Sequence, residues 1–243
     1  MIQNKADIIA RLKREMLPLQ GIKTTSKNTL LDAGLVKIKT AFPNDSFPLA
    51  AMHEFITTGD QDVAATCGFV AGIISFLMQG NEALIWISSS RTVFPPALQS
   101  FGISPDKVIF IDLQKEREVL WVLEEALKCV GLAAVLCEMQ ELNFNASRRL
   151  QLAVEQSGVT GFIIRRNPRS VNITACVTRW QVTSLQSDLA NDLPGVGFPR
   201  WNVELLKVRN GTPGKWQIEF AAGQFRQLPK IAAIPFIQKK KTG

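Results

Sequence analysis

Histidine occurs once in this chain, at position 53, and cysteine only at positions 67, 129, 137 and 176. The cysteines are isolated from one another, with no C-x-x-C pair, so neither a zinc site nor a disulfide framework is expected. Buried free thiols in a reducing cytoplasm are expected instead. Tyrosine is absent altogether. A long apolar run is lacking as well: the longest, residues 67–78, is too short to span a bilayer and is interrupted by Gly68 and Gly72. No membrane contact is therefore expected. Residues 1–16 are charged throughout, with no apolar h-region, so no secretion signal is expected and the cytoplasm is the expected location.

What is present is an ordinary globular balance. The 243 residues are 46% hydrophobic and 20% charged, enough for a substantial core in one α/β domain with extensions or in two small domains. The net charge of +7 and pI near 9.4 suit an anionic partner, nucleic acid first, or simply a soluble basic protein. Residues 7–17 carry apolar positions at helical spacing, stopped by Pro18 and Gly21, and residues 21–44 read as a linker. From Pro48 strands and helices alternate. Strands are expected over residues 52–56, 83–87, 108–112, 132–137 and 159–165, with helices after the first strand and over 94–101, 116–130 and 146–157. Such alternation predicts a mostly parallel sheet covered by helices. Residues 178–185 alternate like an edge strand, and 201–208 and 215–220 flank Asn210-Gly211-Thr212-Pro213-Gly214, a hairpin signal. Three segments result: an N-terminal helix and arm over 1–46, an α/β core over 47–222 and a basic tail over 223–243 ending in Lys239-Lys240-Lys241.

Between the first strand and its helix stands Gly59-Asp60-Gln61-Asp62-Val63-Ala64-Ala65-Thr66. A phosphate-binding loop reads G-x-x-x-x-G-K-[ST], with its lysine on the terminal phosphates and its hydroxyl on magnesium. Gly59 and Thr66 keep the outer spacing of that loop, but Ala64 and Ala65 replace its second glycine and its lysine. Alanine supplies neither glycine's close backbone approach nor a charged donor. The expectation is the frame of a nucleotide-binding domain without nucleotide chemistry, and thus a binding protein with no bound cofactor.

The order of elements is similar to the RecA-like ATPase core. Within it, the chain resembles the ImuA family, RecA-like accessory proteins of bacterial mutasomes. The resemblance rests on Met52-His53-Glu54-Phe55, Leu120-Trp121-Val122-Leu123-Glu124-Glu125-Ala126-Leu127 and Ala146-Ser147-Arg148-Arg149-Leu150-Gln151-Leu152-Ala153. Thr178-Arg179-Trp180, the run from Pro199 to Arg209 and Gly211-Thr212-Pro213-Gly214-Lys215-Trp216 complete it. The resemblance implies a non-catalytic accessory factor of damage-induced, error-prone translesion DNA synthesis. Its implied partners are an ImuB-like adaptor polymerase, the mutasome polymerase, RecA and single-stranded DNA. Where the ATPases have their catalytic glutamate, Ser88-Ser89-Ser90 follow the second strand, and the magnesium-holding acid corresponds to Glu138. Without lysine and glutamate, ATP hydrolysis is not expected.

Binding is expected instead from basic clusters. Arg165, Arg166 and Arg169 open an irregular stretch that returns at Arg179, at the strand ends where parallel sheets present their functional edge. A positive loop there suits a phosphate backbone or a partner, or is a solvated loop bridging to acidic neighbours. Asp60 and Asp62 are expected to stabilise a helix N-terminus, and His53 to be a hydrogen-bonded core residue. Trp180, Trp201 and Trp216 suit sheet packing or a partner anchor. Two alternatives stand beside the accessory reading. One is a SulA-like inhibitor of cell division. The other is an ATPase in which Lys207 or Lys215 replaces the missing lysine.

Overall fold

Apolar runs without polar alternation need cover on both sides, and here they assemble the middle of one sheet. A computed structural model of the protein describes residues 35–78, 80, 82–89, 91–187 and 197–229; the helix expected over 7–17 and the Lys239–Lys241 end lie outside them. Nine strands form a single sheet: β1 (Met52–Thr57), β2 (Ala83–Ser88), β3 (Val108–Asp112), β4 (Leu132–Met139), β5 (Thr160–Arg166), β6 (Thr178–Leu185), β7 (Arg200–Val208), β8 (Gly214–Ala221) and β9 (Gln224–Gln227). Their order is β3-β2-β4-β5-β1-β6-β7-β8-β9. The first six of that order run parallel, and β7, β8 and β9 continue the sheet antiparallel. Four α-helices are described: α1 (Val36–Lys39), α2 (Asp60–Leu77), α3 (Glu116–Lys128) and α4 (Phe144–Ser157). The expected mostly parallel α/β architecture with a C-terminal hairpin is present.

Two apolar layers sandwich the sheet. One lies under α2 and the segment that carries Leu35, Ile38, Phe42 and Phe47; the other lies under α3 and α4. All six residues of β1 are buried, as befits a strand covered on both faces. β6 alternates because only one of its faces is covered: Trp180 and Val182 join the α2 layer while Arg179 and Gln181 are half-buried. The alternation that read as an edge strand thus belongs to an interior strand, between β1 and β7.

Local chemistry sets the helices. Asn143 caps α4 by accepting from the Ala146 amide at 2.8 Å, and Gly158 ends it at φ 82°, a left-handed conformation that glycine adopts without strain. α3 opens with Glu116 and Glu118 and closes on Lys128, complementing its dipole. α2 is apolar on nearly every side, and by length and composition alone it would pass for a membrane span; ten of its eighteen residues are buried in the fold.

Three expected boundaries move. Residues 35–46 belong to the core layer, so the arm does not extend to 46. The sheet runs on past 222, because β9 pairs with β8 and buries Phe225. The helix expected over 94–101 is a 3-10 segment, Pro95–Phe101, ending at Gly102. Two consecutive prolines withhold the amides that an α-helical first turn would pass on.

Candidate functional site at the carboxyl edge of the sheet

The phosphate-binding loop expected over Gly59 to Thr66 is not a loop. β1 ends at Thr57, Gly59 is the N-cap in an extended conformation, and α2 begins at Asp60. The Val63 amide already donates to the Gly59 carbonyl at 3.0 Å. Ala65 and Thr66 face inward, and the Thr66 hydroxyl lies 3.5 Å from the Val182 carbonyl instead of at a metal position. A phosphate cradle needs several successive amides free in a wide turn, and here the helix starts at Asp60, so the amides from Val63 onward are spent on helical bonds and only the first turn leaves any free. The helix N-terminus still carries a positive field, but Asp60 and Asp62 sit in its first turn, and Asp62 accepts from the Thr58 hydroxyl at 2.8 Å. Acidic residues after Thr-Gly are the helix-start signal that the motif spacing masked.

Glu138 lies on β4 close to that helix start. It is 2% exposed, accepts from the Trp86 indole N–H at 2.9 Å and from the Arg166 guanidinium at 3.4 Å. Burial pushes its pKa up, and the Trp86 N–H and the Arg166 charge oppose that rise. Arg166 also reaches within 3.9 Å of Asp60, so one guanidinium serves two carboxylates. The end of β2 is not without an acid, as the chain order suggested. The sheet register sets Asp112 of β3 beside Ser88, whose hydroxyl donates to it at 3.0 Å, and Arg91 pairs with it at 2.5 Å. Next to these groups a cleft of about 490 Å³ opens between α2 and the 3-10 segment, lined by Val63, Cys67, Trp86, Phe94, Leu98 and Arg166. Burial raises the Cys67 thiol far above its ordinary range, so it stays protonated and inert. The edge is therefore an apolar cleft bordered by carboxylates that arginines already neutralise.

The expected arginine loop divides. Arg165 is wholly buried: its guanidinium donates to Glu54 at 2.9 Å, Asn172 at 3.0 Å, the Ser170 carbonyl at 3.0 Å and Glu141 at 3.3 Å. Arg179 approaches the other oxygen of Glu54 at 2.8 Å, and that oxygen also accepts from the Thr174 hydroxyl at 2.8 Å. These two arginines thus lock β5, β6 and the intervening stretch to β1, and present nothing to a partner. Arg166 faces Glu138, and only Arg169 of the four is exposed, its backbone amide held by Glu141 at 2.9 Å. Among the described residues no group of three His, Cys, Asp or Glu is placed to hold a metal ion.

His53 is a core residue, as its neighbours predicted. Its Nε2 bonds the Pro48 carbonyl at 2.9 Å, its Nδ1 meets the Thr178 hydroxyl at 2.7 Å, and Phe47 and Phe162 stack on it. Burial lowers its pKa to about 3, so the ring is neutral and available to no acid–base step at ordinary pH. Trp180 and Trp201 are buried and Trp216 packs half-buried beside them. The two lysines considered as substitutes stand elsewhere: Lys207 donates to the Thr174 and Cys176 carbonyls, and Lys215 to Glu204.

No family model matches the chain. Two curated proteins do resemble it: Protein ImuA of Caulobacter vibrioides strain NA1000 / CB15N and Protein ImuA of Caulobacter vibrioides strain ATCC 19089 / CIP 103742 / CB 15. Each is 33% identical over 208 residues, spanning 81% of this chain and 85% of the relative. That stretch is too long and too similar to reflect a shared architecture alone, and with the ImuA-like segments distributed across β1, α3, α4 and the C-terminal strands, the chain belongs to the ImuA family.

Proposed function

We propose that this protein is a non-catalytic, RecA-like accessory factor of damage-induced translesion DNA synthesis in the cytoplasm, acting through contacts with an ImuB-type adaptor polymerase and its assembly. Family membership supports the pathway. The observation that carries the non-catalytic part is the helical course of residues 60–66, with Asp60 and Asp62 where phosphates would approach. Phosphoryl transfer depends on cations and amides positioned around the transferred group. Here Arg166 is engaged by Glu138 and Asp60, and Thr66 is packed against β6. Binding, not turnover, is what such a frame supports, with the RecA-like shape retained as a docking body.

Two measurements test this. Calorimetric titration with ATP and magnesium should give no saturable heat. Co-purification of the chain with the adaptor polymerase at low salt should give a stable complex. Saturable nucleotide binding overturns the non-catalytic reading, and absence of any complex overturns the accessory role.

A further inference from the structure

One built surface is left unclaimed, bordering the Glu54 network at Thr174. α4 presents Phe144, Arg148 and Leu152 at four-residue spacing, one stripe along the helix. Phe144 is 45% and Leu152 49% exposed, so the stripe puts two large apolar side chains in solvent on one face of the helix. Across a groove of about 340 Å³ from this stripe stand Lys207 and Arg209 from the end of β7 and the turn after it. Both are held by backbone carbonyls, not by carboxylates. Lys207 donates to Thr174 at 2.8 Å and to Cys176 at 3.3 Å, and Arg209 donates to Ala175 at 3.0 Å. Arg148 forms no ion pair among the described residues. Glu155 is the one carboxylate lining the groove, and it accepts from Gln151 at 2.8 Å. The groove therefore sets three cations against one anion around two exposed apolar side chains. Its wall is fixed, since the Ala175 amide donates to the Ser147 hydroxyl at 2.9 Å.

Apolar side chains within a ring of uncompensated charge are the features of an interaction surface. The charge selects the occupant. Neither end of this chain suits it: residues 1–34 carry six Lys or Arg against three Asp or Glu, and residues 230–243 carry four Lys and no acid. We propose that the groove docks a segment of a partner protein presenting a pair of apolar side chains flanked by aspartates or glutamates. The apolar pair covers Phe144 and Leu152, and the carboxylates pair with Arg148 and Arg209, whose forked guanidinium groups suit them. The inference deepens the accessory reading and rests on it.

Phage-displayed random peptides selected against the full-length chain, then labelled with fluorescein for anisotropy titration, test the proposal. Enriched peptides should carry apolar residues flanked by acids. Arg148→Glu and Leu152→Asp should each weaken their binding roughly tenfold, with unchanged melting transitions, as expected for centrally placed contacts. Arg148→Ala, which alters only an exposed side chain, should weaken it several-fold, and replacing the peptide's acids by lysines should abolish it. Failure to enrich, or binding indifferent to these substitutions, overturns the proposal. So does oligo(dT) binding that Arg148→Glu removes and acidic peptides fail to compete, which assigns the groove to nucleic acid. Adaptor co-purification separates the two claims. Adaptor capture by the unaltered chain when no peptide enriches sinks the groove alone; no capture by the unaltered chain sinks the accessory reading.

Discussion

Arg165 and Arg169 lie four positions apart, yet one is wholly buried and the other exposed. Composition cannot separate them, because the partner that buries Arg165 is Glu54, 111 positions earlier in the chain. Removing one member of a buried ion pair leaves the other desolvated and unpaired, at a cost of about 3–5 kcal/mol. Arg179 still holds one oxygen of Glu54, so Arg165→Ala is expected at the lower end, about 3 kcal/mol less stable in urea unfolding. Arg169→Ala should stay within about 0.5 kcal/mol. Equal effects would show that the buried network contributes little. His53 makes a second residue-scale prediction. Its folded pKa is about 3, below the unfolded value of 6.5, so the unfolded chain takes up the extra proton as pH falls. Stability is fully present above pH 6.5 and declines by about 1.4 kcal/mol for each pH unit between 6.5 and 3. Glu138, with its pKa raised, acts in the opposite sense, so the comparison must be with a His53→Gln variant. Unfolding free energies at pH 7 and pH 5 should differ by about 2 kcal/mol more in the parent than in the variant, and equal pH dependence would mean that the ring is protonated in the fold.

At the scale of elements, α2 is where sequence and structure diverge most usefully. Its close seating depends on Gly72: an ideal Cβ there would come within 2.6 Å of the Phe225 ring, itself wedged among Phe69, Phe220 and Trp201. Alanine favours a helix over glycine by about 1 kcal/mol, whereas overpacking a core costs about 1–3 kcal/mol. Phe225 is 1% exposed and has aromatic rings around it, so the clash should win. Gly72→Ala is expected to lower the melting temperature by several degrees, and a rise would mean that β9 yields readily. This contact also explains why β9 escaped the sequence: four residues with one buried apolar side chain carry no periodicity, and their place is set by α2. The core strands were legible because continuous apolar runs such as Ala-Leu-Ile-Trp-Ile demand two-sided cover. The site was legible only in part. The inertness of His53 followed from local sequence and Glu138 was singled out only by the family resemblance, while Asp112 reaches the edge only through the β2–β3 register. The spacing of Gly59 and Thr66 suggested a loop because a motif counts residues and not their hydrogen bonds. Leu152 lies within the helix expected over 146–157 and Phe144 two residues before its expected start, and the exposure of both depends on what does not pack over them.

For the whole molecule, the basic pI is a property of the ends. Residues 35–229 hold 18 Lys or Arg and 18 Asp or Glu, so the formal +7 comes entirely from residues 1–34 and 230–243. The body of the protein is neutral, and its arginines largely serve its own carboxylates, as at Glu54, Glu138, Asp112 and Glu219. Non-specific affinity for single-stranded DNA should therefore follow the ends and not the sheet edge. Each phosphate contact contributes about 0.7 to the slope of log affinity against log salt for a single strand. Replacing Lys239, Lys240 and Lys241 by alanine should flatten that slope by up to about 2, whereas Arg169→Ala, which removes one exposed cation, should change it by no more than about 0.7. Anisotropy titrations of labelled oligo(dT) over a series of salt concentrations measure both. If the triple substitution leaves the slope untouched while Arg169→Ala collapses the affinity, the contact lies on the carboxyl edge after all. The lysines would then be solubilising charge, and the neutral body would be recognising phosphate through one loop.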